Sequence, residues 1–486
     1  LAGTLLIHNS EIFIAPRPYM MQNHFVQLAE TIEMETTAPF KPGGILHATI
    51  NGHRFHLRLK DPWELNPLWI DGQHMLLLDK VAAETFAYII EGMWQFQRGA
   101  GDRSEDVRNF AVEMLYKKYH KSFMLFNRVT REKIRANVDR IFGSVMSAAD
   151  GGCPVEGGLA PHEVSHEKWA APARMDLALT YKCNLDCPHC YVDDGRKNGV
   201  RELDADKWKQ ILDKLWEIGI PNVVFTGGEP TLRPDLVELV AYAEQFVTGL
   251  VTNGTNLEAL AEPLKNASLD YVQVTLESHI PEIHNKITSA PAGFDAFSKT
   301  AAGIKKALSL KMHVITNTTL TNENAKEFPA LLEFGKSIGL KNMACNSLIC
   351  SGRGIAAKKA EGLTEPELAE LLKSAAAKAG ALDINLMWFT PTCYNKLNPL
   401  ELGLGKKECS AAAYNMTIQP DGTVLPCQSW PESVGGILAD PWEKIWTHPV
   451  SQKLRVHGFA GGECMKCASL ALCGGGCPLD KEAAHE

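Results

Sequence analysis

The sequence has no surplus of positive charge: 49 Lys and Arg stand against 57 Asp and Glu, for a formal net charge of −8. Whole-chain nucleic-acid binders gather Lys and Arg against phosphates, so that class is set aside and no nucleic-acid partner is expected. Long apolar runs are also missing. No stretch approaches the ~18 consecutive apolar residues of a membrane span, which argues against a membrane partner. Cysteine is absent from the first 152 of the 486 residues. The rest of the composition is ordinary, 45% hydrophobic and 22% charged, which allows a sizeable core and excludes global disorder. At ~100–200 residues per domain, the length suggests about three domains.

Where cysteine does occur it is concentrated. Of 13 cysteines, 12 lie between Cys183 and Cys477, and the remaining one is Cys153. A secreted disulfide scaffold is short and usually even in count. An odd number, a long chain and tight local groups fit thiolate–metal chemistry in a reducing compartment, hence a cytoplasmic location.

The pattern along the chain separates into regions. In residues 1–150, Ile45–Ile50 and Arg54–Leu59 alternate apolar and polar residues as strands do, while Phe86–Trp94 and Val107–Tyr119 read as helices, giving an N-terminal α+β domain. Residues 151–172, rich in Gly, Pro and Ala, read as a linker. From Met175 strands and helices alternate. Met175–Thr180, Val223–Thr226, Leu250–Thr252, Tyr271–Leu276, Val314–Thr319 and Met343–Leu348 are short apolar strands. Helices are expected between them, among them Asp204–Ile218 with Asp204 as cap and Trp208, Ile211, Leu212, Leu215 and Trp216 on one stripe, and Pro234–Phe246. Such α/β alternation implies a parallel sheet with right-handed crossovers. Six units are too few for a closed eight-stranded barrel, so residues 173–355 are expected to form a partial (β/α)6 barrel with its ligand at the carboxyl ends of the strands. Residues 356–390 read as a bridging helical region. In 391–486 the rhythm fades into Gly-rich turns and spaced cysteines, a loop-rich domain that metal ligation would help to fold.

Directly after the first of these strands comes Cys183-Asn-Leu-Asp-Cys187-Pro-His-Cys190-Tyr191, a C-x3-C-x2-C loop. Three thiolates can ligate three irons of a cubane and leave the fourth open. A structural zinc site wants a fourth local ligand, and His189, adjacent to Cys190, is awkwardly placed to share one tetrahedral ion with it. The loop resembles the signature of radical S-adenosylmethionine (SAM) enzymes. Thr226-Gly227-Gly228-Glu229-Pro230-Thr231, one strand later, is similar to that family's GGEP motif. The resemblance covers about 175–352 and implies a SAM-binding 4Fe–4S cluster on Cys183, Cys187 and Cys190. It further implies cofactor contacts from Tyr191, Gly227, Gly228, Glu229 (accepting from the SAM ammonium), Pro230, Asn253, Glu277, Ser278 and Asn317. For Glu277, Ser278 and Asn317, ordinary strand-end capping is the competing role. Two glycines would let backbone approach a ligand closely.

The second group reads Cys409-x12-Gly422-x4-Cys427, then Cys464-x2-Cys467-x5-Cys473-x3-Cys477. This resembles the SPASM extension, which holds auxiliary 4Fe–4S clusters in peptide-modifying radical SAM enzymes. The resemblance implies three clusters in all. One auxiliary cluster would use Cys409, Cys427 and Cys477, with Cys393 as candidate fourth ligand; the other would use Cys464, Cys467 and Cys473. The full motif has one more cysteine beyond Cys477 that this sequence does not contain. The second site is expected to be open, and able to take a substrate thiolate, or closed by His485, Cys345 or Cys350, and a truncated sequence is the remaining explanation. Cys345 and Cys350 have a competing role as buried inert thiols. Asp421 is the candidate general base, against a turn role in Pro420-Asp421-Gly422-Thr423. His284 is a candidate of lesser specificity, since a lone His is more often structural.

Met75–Ala87 is similar to part of the winged-helix element that grips leader peptides, a module that binds an extended chain by strand addition; a purely structural cap is the alternative. Taken together, the resemblance implies a maturase acting on a ribosomally made peptide or protein, with a thioether or carbon–carbon cross-link as favoured product and a reductant such as ferredoxin or flavodoxin as partner. Side-chain oxidation of the sulfatase-maturase type, modification of a tetrapyrrole, and a pure electron-transfer scaffold are the alternatives.

Overall fold

The computed structural model describes residues 45–50, 53–58, 66–70, 74–96, 103–119, 123–124, 127–128, 130–149, 170–192, 200–462 and 464–482. Cys153, His485 and most of the expected linker lie outside the described residues. Contacts divide the chain into two compact units, Leu1–Val164 and Ser165–Glu486.

In the first unit, β1 (Ile45–Ile50), β2 (His53–Arg58), β3 (Asn66–Ile70) and β4 (His74–Leu78) form an antiparallel sheet in that order. Leu46, Ala48 and Ile50 are buried, as are Phe55 and Leu57, so the alternation read in the sequence does bury one face. The sheet is followed by α1 (Lys80–Phe96), α2 (Ser104–Tyr119), a short ladder of β5 (Phe123–Met124) with β6 (Asn127–Arg128), and α3 (Arg131–Ala149). Phe86, Ile89 and Ile90 of α1 join Val138 and Ile141 of α3 in the same core as the strands.

The second unit is built on one sheet. Its first six strands are β7 (Arg174–Thr180), β8 (Asn222–Gly227), β9 (Val247–Thr252), β10 (Tyr271–Thr275), β11 (His313–Leu320) and β12 (Asn342–Ser347), each parallel to the next. Between them run α4 (Ala205–Ile218), α5 (Leu236–Tyr242), α6 (Leu257–Asn266), α7 (Pro281–Ile287), α8 (Ala296–Ser309) and α9 (Phe328–Ser337). α4 forms as its pattern dictates. Asp204 accepts from the Lys207 N–H as N-cap, Gly219 closes the helix at φ 101, and Trp208, Ile211, Leu212 and Leu215 are buried on one stripe. α5 is shorter than the expected Pro234–Phe246, because Asp235 occupies the cap position and the chain turns after Ala243.

The barrel does not stop at six strands. α10 (Gly354–Glu361) and α11 (Glu365–Ala381), the latter opened by a Thr364–Glu367 capping box, lead to β13 (Asn385–Trp388), which adds parallel to β12. At the opposite edge β14 (Asn415–Ile418), from the cysteine-rich region, adds parallel to β7, and β15 (Thr423–Leu425) and β16 (Gly435–Gly436) continue antiparallel. The order is β13-β12-β11-β10-β9-β8-β7-β14-β15-β16. The region read as a bridge and the region read as loop-rich therefore each supply strands to the central sheet. β13 and β14 have four residues each, β15 three and β16 two, too short for alternation to separate strand from loop.

Candidate active site at the carboxyl ends of the strands

β7 ends at Thr180, and the cysteine loop begins at once. The loop is held from several sides. The Gly228 N–H donates to the Thr180 carbonyl (2.7 Å) and the Glu229 N–H to the Lys182 carbonyl (2.8 Å). Arg353 donates from its guanidinium to the Cys187 carbonyl (2.6 Å), pairs with Asp186, and gives its N–H to the Cys190 carbonyl. Asn184 donates to Thr255 and accepts from Asn253 (2.8 Å). Tyr191 donates its phenol to the Gly227 carbonyl at 3.1 Å.

The two glycines serve a close approach, but the nearest group is the chain itself. A Cβ at Gly227, where φ is +139, would lie 2.1 Å from the Thr180 carbonyl oxygen; one at Gly228 would lie 2.4 Å from that of Lys182. Glu229 is fully buried. Its carboxylate accepts from the Thr231 N–H and hydroxyl, the Thr252 hydroxyl and the Asn253 N–H, tying the ends of β8 and β9 together. Burial pushes its carboxyl up from the ordinary range, while those four donors pull it back.

At the end of β10, Glu277 is buried with Oε2 accepting from the Thr319 N–H (2.8 Å) and with the His189 imidazole Nε2 3.4 Å from Oε1. Among the described residues Oε1 itself has no hydrogen-bond donor, and neither does the buried Oδ1 of Asn317, whose backbone is paired with Thr275. Asn317 donates its amide to Asn346. Ser278 accepts from the Ile280 N–H, a turn-capping role. His284 accepts at Nδ1 from the Glu277 N–H, and burial pushes its imidazole down to about 4, so it is neutral at pH 7. Three roles at this site were not read from sequence: His189, weighed there only as a metal ligand, faces Glu277; Arg353 grips the cysteine loop; and Thr231 and Thr252 hold Glu229. His189 and Thr231 lie within the motifs already named, and Arg353 stands in Gly352-Arg353-Gly354. Gly352, at φ +54, has no room for a Cβ beside the Tyr191 carbonyl.

None of the twelve described cysteines is in a disulfide. Burial, the Glu277 carboxylate and the neighbouring Cys190 and Cys183 sulfurs push the Cys187 thiol well up, an environment that a cationic metal cluster would reverse. Among the described residues no three His, Cys, Asp or Glu converge closely enough to hold a single metal ion. A cubane takes its thiolates on separate irons and spreads them wider than one tetrahedral ion does. The donor set of the first loop fits a cluster, and Glu277 Oε1, facing the His189 imidazole at 3.4 Å, and Asn317 Oδ1, both without a hydrogen-bond donor among the described residues, fit a polar cofactor.

In the C-terminal region Cys409, Cys427 and Cys477 are electrostatic neighbours and pack on one small core with Ala411, Ala412 and Trp430. Cys464, Cys467 and Cys473 lie on successive turns, linked by Cys467 N–H to Cys464 carbonyl (3.0 Å) and Leu470 N–H to Cys467 carbonyl (3.2 Å). Cys345 is buried in the main core of the sheet among Met343, Leu372 and Trp388. Asp421 is exposed at the β14–β15 turn, where its carboxylate accepts from the Thr423 N–H at 2.9 Å. It does what the turn requires.

An open parallel sheet with a three-thiol loop at its carboxyl edge, and a second cysteine-rich region added to the same sheet, defines an iron–sulfur enzyme of the α/β class. Residues 177–335 match the radical SAM superfamily and residues 409–468 match the SPASM iron–sulfur cluster-binding domain. The chain is a radical SAM enzyme with a SPASM domain, and its cofactors are SAM and iron–sulfur clusters. It is 28% identical over 323 residues to the PqqA peptide cyclase of Granulibacter bethesdensis, covering 63% of this chain and 82% of that protein. It is 26% identical over 320 residues to the AdoMet-dependent heme synthase of Methanosarcina barkeri, covering 63% and 91%. Its fold is similar to that of Streptococcus suis SuiB bound to the precursor peptide SuiA, with a TM-score of 0.58 at 16% identity over 89% of this chain and 96% of that one. No helix among the described residues is long and apolar enough to cross a membrane.

Proposed function

We propose that this enzyme modifies a side chain of a ribosomally made peptide or protein, with an intramolecular thioether or carbon–carbon cross-link as the favoured outcome. The observation that carries this reading is the first unit. Its four-stranded sheet has β1 and β4 as outer strands, and an outer strand offers the backbone edge along which an extended peptide adds. A substrate no larger than a tetrapyrrole has no use for such an edge. The tetrapyrrole reading is kept second because of the similarity to the heme synthase, which spans 63% of this chain.

In this reading Cys183, Cys187 and Cys190 hold one 4Fe–4S cluster, and the C-terminal cysteines hold two more. Bound there, the first cluster and SAM would supply reductive radical chemistry that removes a substrate hydrogen, and the auxiliary clusters would supply electron uptake or a site for a substrate sulfur. A ferredoxin or flavodoxin would deliver the reducing electron. The chain's own residues do the positioning. Gly228, Glu229 and Arg353 fix the cysteine loop through backbone contacts, and Glu229 sets the Asn253 backbone at the end of β9. Glu277 Oε1 and Asn317 Oδ1 are the acceptors left for cofactor hydroxyls or an ammonium.

The test uses the anaerobically reconstituted protein with SAM, dithionite and a short Cys-containing peptide encoded beside its gene. Release of 5′-deoxyadenosine with a peptide product lacking two hydrogens and resisting thiol alkylation supports the cross-link. An aldehyde product supports side-chain oxidation. Turnover of a tetrapyrrole, with no change in any peptide, replaces the peptide reading.

A further inference from the structure

We propose that Cys350, rather than Cys393, completes the thiolate set of Cys409, Cys427 and Cys477, and that Cys393 joins Cys464, Cys467 and Cys473. This assignment rests on the reading that the region holds two auxiliary clusters. Cys350 follows β12, far in sequence from the other three, yet it packs on the same small core of Ala411, Ala412, Trp430, Leu454 and Leu479 as they do. Two further contacts fix that approach. The Ser351 hydroxyl donates to the Ser429 carbonyl at 2.6 Å, two residues beyond Cys427, and the Ala412 N–H donates to the Pro426 carbonyl at 2.9 Å, joining the Cys409 and Cys427 segments. The Lys358 ammonium, paired with Asp480 at 2.8 Å, is an electrostatic neighbour of both Cys350 and Cys477.

An independent observation comes from Trp430. It is only 3% exposed, and its buried indole N–H has no acceptor among the described residues. A buried donor without a partner costs free energy unless something accepts from it, and a thiolate or cluster sulfide is such an acceptor. Cys393 stands between the two groups: its segment meets Cys477, whose N–H donates to the Pro391 carbonyl at 3.2 Å, but it packs on none of the small core that Cys350 shares with the other three, and its sulfur is turned to the Cys473 side. Its thiol donates to the Gly475 carbonyl at 3.1 Å, while the Gly475 N–H donates to the Cys473 sulfur at 3.4 Å, so the two sulfurs flank one residue. Cys350 also sits three residues before Arg353, which grips the first cysteine loop, so the Cys350–Arg353 segment links the two iron–sulfur regions.

The experiment uses the full chain with Cys183, Cys187 and Cys190 all replaced by alanine, reconstituted anaerobically so that only auxiliary clusters remain. Two clusters give ~8 irons per chain by iron and sulfide analysis. Cys427→Ala and Cys467→Ala, added singly, identify which EPR signal of the reduced protein belongs to which cluster. Cys350→Ala is expected to change only the signal changed by Cys427→Ala, and Cys393→Ala only the one changed by Cys467→Ala. Cys350→Ser, which keeps the side-chain volume, is expected to retain ~8 irons and shift the same signal, separating ligation from folding. A wild-type spectrum in Cys350→Ala, or a crossed pattern between the two variants, overturns the assignment. If the parent itself holds ~4 irons and one signal, the two-cluster reading falls first and the assignment falls with it, before either residue has been changed.

Discussion

Replacing Gly228 by Ala asks whether the glycine pair serves the cofactor or the protein. The new Cβ would stand 2.4 Å from the Lys182 carbonyl oxygen and 2.7 Å from that of Tyr181, both backbone atoms that cannot rotate away. Relief requires β8 and the cysteine loop to separate, which weakens the hydrogen bonds from Gly228 to Thr180 and from Glu229 to Lys182. Two such bonds are worth ~1 kcal/mol each, and overpacking adds ~1–3 kcal/mol, so a local destabilisation of about 3 kcal/mol or more is expected. At ~1.4 kcal/mol per decade, amide exchange across 180–192 and 226–232 should quicken by roughly 100-fold or more, with exchange in the first unit unchanged. Hydrogen exchange on the cluster-free protein, read by mass spectrometry, measures this without any cofactor. Wild-type protection in that variant, together with weakened SAM binding in the reconstituted enzyme, would refute the argument. The glycine would then be serving the ligand directly.

Arg353→Ala should cut retention of the first cluster, measured as iron content against a chelator, because a charge-assisted bond to the Cys187 carbonyl worth ~1.5–3 kcal/mol is lost. Arg353→Lys should fall between: Nη2 alone makes both the Cys187 and the Asp186 contact, and a lysine keeps the charge but carries its ammonium on a stem of different length and shape. For His284 the folded pKa lies near 4, below the ordinary 6.5, so the stability held by the neutral ring is complete above pH 6.5 and is lost as pH falls through 4. Compared with His284→Asn, the cluster-free wild type should lose about 3 kcal/mol more between those limits in urea titrations, and parallel curves would disprove the buried neutral ring. Asp421→Asn should leave SAM cleavage and product yield intact and change stability by less than ~0.5 kcal/mol, since Asn supports the same turn; a selective loss of product would restore Asp421 as a base.

The six-strand alternation, the Trp208 stripe on its helix and the cysteine spacings were all legible in the chain, because each is a relation among residues a few positions apart. Local periodicity decides which face is buried, and local spacing decides which thiols share a loop. Folding decided the rest. β13 and β14 are too short to announce themselves, and they become strands because β12 and β7 offer unpaired edges. The donors that hold Glu229, on Thr231, Thr252 and Asn253, meet its carboxylate only in the fold, and the Gly228 contact is with a carbonyl 46 positions earlier. Cys350 reads as an inert thiol or as a ligand of the other auxiliary site until chain closure brings it to the small core on which Cys409, Cys427 and Cys477 also pack. Such contacts join residues tens to more than a hundred positions apart, and only the closed sheet, by burying their common core, brings them together.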